Sequence, residues 1–311
     1  MKNYPEGILY IMKAMILAAG LGTRLRPLTS HTPKPLVPVG NRPVIDLTLE
    51  HLKRHGVYDV IVNAHHCHQE LSEYLDGGRP FGMDIEVRVE PDILGTGGGM
   101  KNTEDFWDHH PFFVVNGDII TDINLTEALS CHLQSKNLVT LILHDYHEFN
   151  QIEIDDSRNI VDIGDRACSG RLAFSGIHII EPELLDCIPE GVFYNIIDCY
   201  KQLIKSGRPV RAYVSEGHYW RDIGSIKSYL DANKEALRQN PFLFGPDLRM
   251  HGSVRLIDWA VIGEGACLEE DSEVRGSVLW KGVTVKKGIR IIDSVVTSHR
   301  QVEKDLIGET Y

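Results

Sequence analysis

A glycine-rich segment that follows a short apolar run is the part of the sequence most suited to bind phosphate. The run AMILA, residues 14–18, is typical of a buried parallel strand, and Gly20 and Gly22 follow it directly. Glycine lets backbone N–H groups approach phosphate oxygens, so this turn can form an anion-binding nest. Three cations able to neutralise a triphosphate follow in the same loop: Arg24, Arg26 and Lys34.

This loop differs from two common phosphate-binding motifs. A dinucleotide-binding G-x-G-x-x-G would need glycine at the position of Leu25, and no G-K-[S/T] of a Walker A loop is present. Four prolines lie among the cations, which predicts a rigid loop rather than a loose basic one. They are Pro27, Pro33, Pro35 and Pro38.

A second glycine run, LGTGGGM at residues 94–100, is costly in a helix, at roughly 1 kcal/mol per glycine relative to alanine. It predicts either a flexible turn or a backbone surface against which a flat ligand lies.

Two carboxylates also stand out. Asp118 ends FFVVNGD and Asp222 lies in YWRDIG, and two carboxylates from distant strands are a donor set that Mg²⁺ accepts. A helix cap is the other interpretation of Asp118.

The elements that must hold these residues alternate between strand and helix. Strands are predicted at 14–18, 60–62, 112–115, 138–143 and 173–180, and helices at 44–55, 125–135, 193–206 and 225–238, the last capped by Ser225. Residues 151–164 alternate around a polar turn and predict a hairpin. Such alternation indicates an α/β fold with βαβ units on a mainly parallel sheet.

A different period begins after residues 240–246, NPFLFGP, which are interpreted as a linker. Aliphatic residues then recur six positions apart, with an irregular step at 280–283. They are Ile262, Leu268 and Val274, followed by Val285 and Ile291. This spacing favours a short left-handed parallel β-helix of hexapeptide repeats over 247–311. A small antiparallel sheet is the alternative.

Composition excludes several classes of protein. The 311 residues are 42% apolar and 24% charged, which is enough for a globular core. A formal charge of −12 argues against a nucleic-acid-binding face, and no apolar run reaches the roughly 20 residues of a membrane span. Six cysteines without a C-x-x-C pair, and a start without a signal-peptide pattern, predict a cytoplasmic protein with reduced thiols.

The first glycine loop resembles the signature of the sugar-1-phosphate nucleotidylyltransferases, also called NDP-sugar pyrophosphorylases. That signature is a strand, then G-x-G-T-R-x-x-P-x-T, then P-K-P. The matching residues are Gly20, Gly22, Thr23, Arg24, Pro27, Thr29, Pro33, Lys34 and Pro35. The resemblance covers Met12 to about Arg238 and implies a Rossmann-like sheet of the nucleotide-diphospho-sugar transferase type. It also implies a catalytic domain at residues 1–239, in which residues 1–11 are either an extension or the result of a start codon assigned too early.

The resemblance also implies roles for individual residues. Arg24 would hold the β- and γ-phosphates of an NTP, and Lys34 would lie on the α-phosphate and the sugar phosphate. Asp118 and Asp222 would bind Mg²⁺, and the second glycine run would lie under the nucleobase. The residues implied in nucleotide or sugar binding are Ala18, Ala19, Gly20, Gly22, Thr23, Gly95, Thr96, Gly97, Gly98, Asn116, Glu153 and Gly176. Glu153 is equally well interpreted as a solvated strand residue.

One departure from the family leaves the substrate open. Many members carry E-K-P after the hairpin, whereas this chain has no lysine between Lys136 and Lys201; Arg166 or Arg171 could substitute. The loss resembles muramate-1-phosphate uridylyltransferases, while the β-helix resembles that of mannose-1-phosphate guanylyltransferases. We expect Mg²⁺-dependent guanylyl transfer to a mannose- or heptose-type sugar 1-phosphate. The alternatives are uridylyl transfer to an amino-sugar or muramate 1-phosphate, and a non-catalytic regulatory subunit that senses nucleotide sugars.

The expected partners are therefore small molecules, an NTP and a sugar 1-phosphate, with no nucleic acid and no membrane. The predicted β-helix packs protomers together or completes the fold, so we also expect a homo-oligomer.

Overall fold

The structure of the protein is a computed structural model, and residues 12–311 are described. The prediction of an extension or early start at 1–11 lies outside the described residues. Contacts divide the chain into two compact units. The first unit runs to Leu21 and resumes over Thr48–Trp220, and the second comprises Gly22–Leu47 and Arg221–Tyr311.

Six α-helices and twenty-three strands are formed within residues 12–311. The helices are α1 Val44–Arg54, α2 His68–Leu75, α3 Gly95–Lys101, α4 Leu125–Ser135, α5 Ile196–Lys205 and α6 Ile226–Ala236. The strands are β1 Lys13–Leu17, β2 Pro38–Val39, β3 Arg42–Pro43, β4 Asp59–Ala64, β5 Asp84–Val89, β6 Phe112–Asn116, β7 Ile119–Thr121, β8 Val139–His144, β9 Asn150–Ile154, β10 Ile160–Ile163, β11 Leu172–Ile180, β12 Arg211–Val214, β13 Trp220–Asp222, β14 Phe242–Phe244, β15 Arg249–Met250, β16 Arg255–Ile262, β17 Cys267–Leu268, β18 Glu273–Leu279, β19 Thr284–Val285, β20 Arg290–Ile292, β21 Val295–Val296, β22 Gln301–Val302 and β23 Leu306–Ile307.

The first unit is built on a nine-stranded mixed sheet in which the neighbouring strands β5, β4, β1 and β6 are parallel, with β5 at the edge. Strand β11 continues the sheet antiparallel to β6 and also pairs with β8 and β9. The middle of β1 is fully buried, as expected for a strand covered on both faces. The sheet confirms the predicted α/β fold with a Rossmann-like, mainly parallel centre, and β9 and β10 confirm the predicted hairpin.

Helix starts follow capping side chains. Ser225 Oγ accepts a hydrogen bond from the Ser228 N–H, which confirms the predicted cap of α6. Helix α5 begins at Ile196, three residues later than predicted, because Asn195 Oδ1 accepts from the Ile197 N–H and ends the extended segment before it.

The second unit contains two sheets of parallel strands, which we call the parallel-strand region (residues 240–311). Their order is β14-β16-β18-β20-β23, with β21 beside β18, and β15-β17-β19-β22. Paired residues lie 17 or 18 positions apart in most pairs, for example Phe242 with Ala260 and Cys267 with Thr284. The six-residue aliphatic repeat forms the interior: Ile262, Leu268, Val274, Val285 and Ile291 are all buried. The arrangement is consistent with a β-helix.

The segment interpreted as a linker is not a loose connection. Residues 242–244 form β14, which pairs in parallel with Ala260–Ile262 of β16. The Gly245 N–H then donates to the Ile262 carbonyl. Two prolines and a glycine are typical of a linker, but the apolar FLF between them forms the first strand of the parallel-strand region. None of the helices between residues 12 and 311 is both long and apolar enough to cross a membrane.

Candidate functional site

The first glycine turn is locked by a threonine seven residues later. Gly22 has a φ of 61°, and a Cβ there would lie 2.9 Å from Thr29 Cγ2. The Thr29 hydroxyl, fully buried, donates to the Gly22 carbonyl over 2.7 Å. The glycine and the threonine of the motif therefore contact each other in the folded loop. Leu25 and Leu28 are buried beneath the loop, so that Thr23 and Arg24 face outward and are exposed.

Arg24 and Asp222, two residues predicted at the site, lie beside each other in the second unit. A Cβ on Gly224 would stand 2.6 Å from Asp222 Oδ1 and 3.1 Å from an Arg24 guanidinium nitrogen. The Gly224 N–H also donates to Asp222 Oδ1, and the Ser228 hydroxyl donates to the Asp222 carbonyl. Glycine in the WRDIG segment thus leaves space for a cation and a carboxylate to share.

In the first unit, the end of β1 is held by two residues that the sequence analysis did not single out. The Ala18 N–H donates to Asn63 Oδ1 over 2.7 Å, and Asn63 Nδ2 donates to Glu90 Oε1 over 2.7 Å. Glu90 Oε2 accepts from the Leu94 N–H over 3.1 Å. Asn63 and Glu90 are buried, at 2% and 1% exposure. This chain of bonds fixes the backbone at the start of both glycine segments.

The Asn63–Glu90 pair changes the prediction for Ala18. The resemblance implies Ala18 in nucleotide binding, but its N–H already donates to Asn63 Oδ1, so that N–H can serve a phosphate only by giving up this bond. Ala19 is also buried, whereas Gly20 is exposed, and a Cβ on Gly20 would meet no atom within 4 Å. Asn63 and Glu90 stand at the carboxyl ends of the neighbouring strands β4 and β5, a position that becomes evident only when the order of the strands is known.

The second glycine run is packed against the protein's own backbone. A Cβ on Gly98 would lie 2.5 Å from the Val192 carbonyl oxygen, and one on Gly97 would lie 2.9 Å from the Tyr194 ring. The Gly97 N–H donates to the Tyr194 carbonyl over 2.8 Å. The resemblance implies that these glycines lie under a nucleobase, but the close approach of the segment before α5 is by itself a sufficient physical reason for glycine at positions 97 and 98. Both are buried, whereas Gly95 is half-buried.

Thr96 joins the same two segments through its side chain. Its Oγ1 accepts from the Ile196 N–H over 3.0 Å, and the Thr96 hydroxyl lies 3.3 Å from Asn195 Oδ1. Phe193, 68% exposed, lies with its ring edge 3.1 Å from the position of a Cβ on Gly95. The N-terminus of α3 is thus bordered by an exposed aromatic ring.

The end of β6 brings three further predicted residues together. The Gly117 N–H donates to the Leu17 carbonyl over 2.9 Å, so the NGD turn lies beside the end of β1. Gly176, with a φ of 79°, sits at an irregularity of β11, and a Cβ there would lie 2.7 Å from Asn116 Nδ2. Asn116 and Gly176 are therefore neighbours, and Asp118 follows two residues after Asn116, half-buried.

Glu153 and Arg171 are engaged with each other on the surface of the hairpin. Arg171 Nη2 lies 2.9 Å from Glu153 Oε2, and its other nitrogen lies 2.6 Å from Asp162 Oδ2. Hydrogen bonding to Asp162 raises the pKa of the Arg171 guanidinium. The ion pair favours the interpretation of Glu153 as a solvated strand residue. It also means that Arg171 would have to leave two carboxylates to replace the absent family lysine.

An aromatic group surrounds Trp220 beside the strand that carries Gly176. The indole N–H donates to the Ser175 carbonyl over 2.9 Å, and its ring centre lies 4.6 Å from that of His144 and 4.9 Å from that of Tyr146. Burial, reinforced by the charge of His218, lowers the pKa of His144 to about 4. His144 is therefore neutral at physiological pH and acts as part of an aromatic wall.

These features define a class of protein before any comparison is made. A parallel sheet that ends in glycine turns, with a cationic loop and carboxylates at strand ends, is the arrangement of a nucleotide-binding α/β enzyme. The family model described as Nucleotidyl transferase matches residues 13–239. The chain belongs to that family and is a transferase.

Curated relatives carry several activities in their names. An N-acetylmuramate alpha-1-phosphate uridylyltransferase of Neisseria meningitidis serogroup B is 34% identical over 227 residues, covering 69% of this chain and 94% of the relative. A UTP–glucose-1-phosphate uridylyltransferase of Synechocystis is 29% identical, covering 94% and 89%. A mannose-1-phosphate guanylyltransferase of Mycobacterium tuberculosis is 27% identical, covering 95% and 82%.

Solved structures support the fold. A crystal structure of a Bacillus anthracis protein titled as a putative glucose-1-phosphate thymidylyltransferase, in complex with sucrose, gives a TM-score of 0.65 at 24% identity and covers 74% of this chain and 96% of its own. The structure of HddC from Yersinia pseudotuberculosis with GMP-PN gives 0.63 at 23% identity, covering 72% and 99%.

Proposed function

We propose that the protein transfers a nucleotidyl group from an NTP to a sugar 1-phosphate, forming an NDP-sugar and pyrophosphate. The family membership and the names of the relatives support this class of substrates. The observation that carries the proposal is that Arg24 and Asp222 both border the space left by Gly224, because this brings the G-x-G-T-R loop and the WRDIG segment together in one local site.

In the proposed reaction, a phosphate oxygen of the sugar 1-phosphate attacks the α-phosphorus of the NTP. A new P–O bond forms while the bond between the α-phosphorus and the bridging oxygen breaks, and pyrophosphate leaves with that electron pair. The attacking oxygen is already an anion, so no general base is needed. Catalysis then depends on positioning and on neutralising charge, for which we assign Arg24 to the β- and γ-phosphates and Lys34 to the α-phosphate and sugar phosphate.

The carboxylates of Asp118 and Asp222 are the proposed holders of Mg²⁺. Their donor set fits this ion, since Mg²⁺ prefers a few carboxylate oxygens completed by water and phosphate over a full protein cage. Both side chains are half-buried, so they are accessible to a ligand. Bound there, the ion would supply positive charge to the phosphates. Among residues 12–311 no group of three or more His, Cys, Asp and Glu side chains could form a metal site alone.

The finer assignments are also proposals. Guanylyl transfer to a mannose- or heptose-type sugar 1-phosphate is supported by the parallel-strand region, which we propose to be a left-handed β-helix, and by the guanylyltransferases among the relatives. Uridylyl transfer to a muramate-type sugar is supported by the 34% identity to the Neisseria relative and by the absent lysine. We propose a homo-oligomer in the cytoplasm, acting on small molecules.

The test is a pyrophosphate-release screen that crosses the common NTPs with glucose, mannose, heptose, N-acetylglucosamine and N-acetylmuramate 1-phosphates. Release with one pair, abolished by omitting either substrate or Mg²⁺, is the expected result. Lys34→Ala should lower turnover with that pair on the order of a hundredfold, as for the loss of one electrostatic donor. Asp118→Asn should raise the Mg²⁺ requirement. Nucleotide-sugar binding without release from any pair would favour the regulatory-subunit alternative.

A further inference from the structure

A fully buried tyrosine on α6 joins the parallel-strand region to the loop that carries Lys34. The Trp280 indole N–H donates to the Tyr229 hydroxyl over 2.9 Å, and that hydroxyl donates to the Pro38 carbonyl over 2.7 Å. Tyr229 is 0% exposed and Trp280 is 4% exposed. Burial raises the pKa of Tyr229, so its hydroxyl keeps the proton that it donates to Pro38.

One turn further along α6, Asn233 holds the same loop at a second point. Its Oδ1 accepts from the Gly40 N–H over 3.0 Å, and its Nδ2 donates to the Tyr229 carbonyl over 2.9 Å. Asn233 is also 0% exposed. From the other side, Asn41 Nδ2 donates to the Ile262 carbonyl of the parallel-strand region over 2.9 Å.

The segment held in this way is short and stiff. Gly40 and Asn41, both with positive φ, form the two-residue turn between β2 and β3. Lys34 lies four residues before Pro38, in a single 3-10 turn over Lys34–Leu36. A displacement of Pro38 and Gly40 is therefore passed on to Lys34, because little of the intervening backbone can absorb it.

We propose that the parallel-strand region positions Lys34 for nucleotidyl transfer, through the hydrogen-bond chain from Trp280 to Tyr229 to Pro38. The proposal rests on the function proposed above for Lys34. Trp280 lies outside residues 13–239, the part that the family model matches, so this support belongs to the chain's own C-terminal region. Trp280, Tyr229 and Asn233 are then positioning residues, which act on substrate only through the loop.

The hydrogen-bond chain from Trp280 to Pro38 can hold the loop because it is buried. The Tyr229 hydroxyl satisfies one buried donor and one carbonyl at once, and there is no exposed side from which water could replace it. Removing that hydroxyl leaves both partners without a bond, so the loop must shift or admit water. A small shift of a catalytic cation is enough to slow a reaction that depends on alignment.

The experiment compares Tyr229→Phe and Trp280→Phe with Val285→Ala. Tyr229→Phe removes one polar atom and keeps the ring, whereas Trp280→Phe removes the indole N–H together with part of the bicyclic ring. Val285 is a fully buried residue of the parallel-strand region interior, so its truncation lowers stability without touching α6. Hydrogen–deuterium exchange of residues 33–41 is measured in each variant, together with kcat and KM for the productive substrate pair.

We expect Tyr229→Phe to lower kcat about tenfold, with the KM for NTP changed less than about twofold, and to speed exchange in residues 33–41. Trp280→Phe should act in the same direction, and the double variant should lose no more than Tyr229→Phe, since both act through one hydroxyl. Val285→Ala should lower the Tm yet leave both readouts unchanged.

The proposal is overturned if Tyr229→Phe, folded at the assay temperature, keeps wild-type exchange in residues 33–41 and wild-type kcat. It is also overturned if Val285→Ala reproduces both changes, because stability alone would then explain them. If the wild-type protein releases no pyrophosphate with any pair, the proposed function fails. The exchange data still decide whether the hydrogen-bond chain holds the loop.

Discussion

Exchanging the amide and the carboxylate of the buried Asn63–Glu90 pair should reveal whether this pair holds the two glycine segments. The chain of bonds ends in a backbone donor on each side, the N–H of Ala18 and the N–H of Leu94. Between them, the amide of Asn63 accepts once and donates once, and the carboxylate of Glu90 accepts twice. One amide side chain and one carboxylate side chain together satisfy both backbone N–H groups. The amide can stand at position 63 and the carboxylate at position 90, or the reverse.

The expected magnitudes follow from this count. In Glu90→Gln, two amides face each other between two donors, and one donor must meet another in every orientation, which costs about 1–3 kcal/mol of unfolding free energy. In Asn63→Asp, two buried carboxylates adjoin, which costs about 3–5 kcal/mol near pH 7. The double variant Asn63→Asp/Glu90→Gln restores one amide and one carboxylate, so it should unfold within about 1 kcal/mol of wild type.

The assay is urea unfolding of the four proteins at pH 7, followed by pyrophosphate release with the productive substrate pair. We expect both single variants to lose stability and turnover and the double variant to recover both. The deficit of Asn63→Asp should shrink at pH 5, where one of the two carboxylates takes up a proton more readily. The reasoning fails if Glu90→Gln is as stable as wild type, or if the double variant carries the summed deficits of the singles.

Three further predictions concern the loops and the buried histidines. Thr29→Val removes the hydroxyl that donates to the Gly22 carbonyl. This change should lower the free energy of unfolding by about 1–3 kcal/mol and remove most of the turnover. Unchanged kinetics would show that this hydrogen bond does not hold the glycine turn. Gly98→Ala would place a Cβ 2.5 Å from the Val192 carbonyl and should cost about 1–3 kcal/mol, whereas Gly252→Ala, with open space around it, should leave the Tm unchanged. Burial lowers the pKa of three histidines in the folded protein from 6.5 to about 4, 4 and 3. As the pH drops from about 6.5 towards 4, these histidines bind protons in the unfolded chain before they do so in the folded protein. The free energy of unfolding should therefore fall over this range by on the order of 2–3 kcal/mol for each histidine. These histidines are His51, His144 and His178. Unfolding free energies that do not vary over this pH range would refute the assignment.

Local patterns in the sequence were sufficient for much of the fold. Helix α4 begins and ends at the predicted residues, 125 and 135, and the hairpin of β9 and β10 lies within the predicted 151–164 apart from its first residue. Both follow from short-range patterns, a helical period in α4 and a two-residue alternation around a polar turn in the hairpin. The structure adds the cap of α4, where Asn124 Oδ1 accepts from the Glu127 N–H. The aliphatic repeat likewise identified the interior of the parallel-strand region.

Contacts between distant segments could not be predicted in this way. The joining of Asn63 to Glu90 depends on β1, β4 and β5 being neighbours, which no local period specifies. The glycines at 97 and 98 were assigned to a ligand because the sequence gives no sign that residues 192–194 approach them. The motif residues themselves are recognisable, whereas the buried partners that hold their backbone become visible only with the topology.

Exposure separates the residues proposed for chemistry from those that hold them. Arg24 is exposed and Lys34 and Asp222 are half-buried, whereas Glu90 and Tyr229 are buried, at 1% and 0% exposure. An exposed cation contributes little to folding, because water solvates it in the unfolded and folded states alike. A buried polar anchor carries a desolvation cost that its hydrogen bonds must offset, so its loss is felt in stability as well as in geometry. Arg24→Ala should therefore lower turnover at an unchanged Tm, while Glu90→Gln and Tyr229→Phe should lower both. If all three variants lost activity at a constant Tm, Glu90 and Tyr229 would have to contact the substrate. That would contradict the buried hydrogen-bond chains described for each unit.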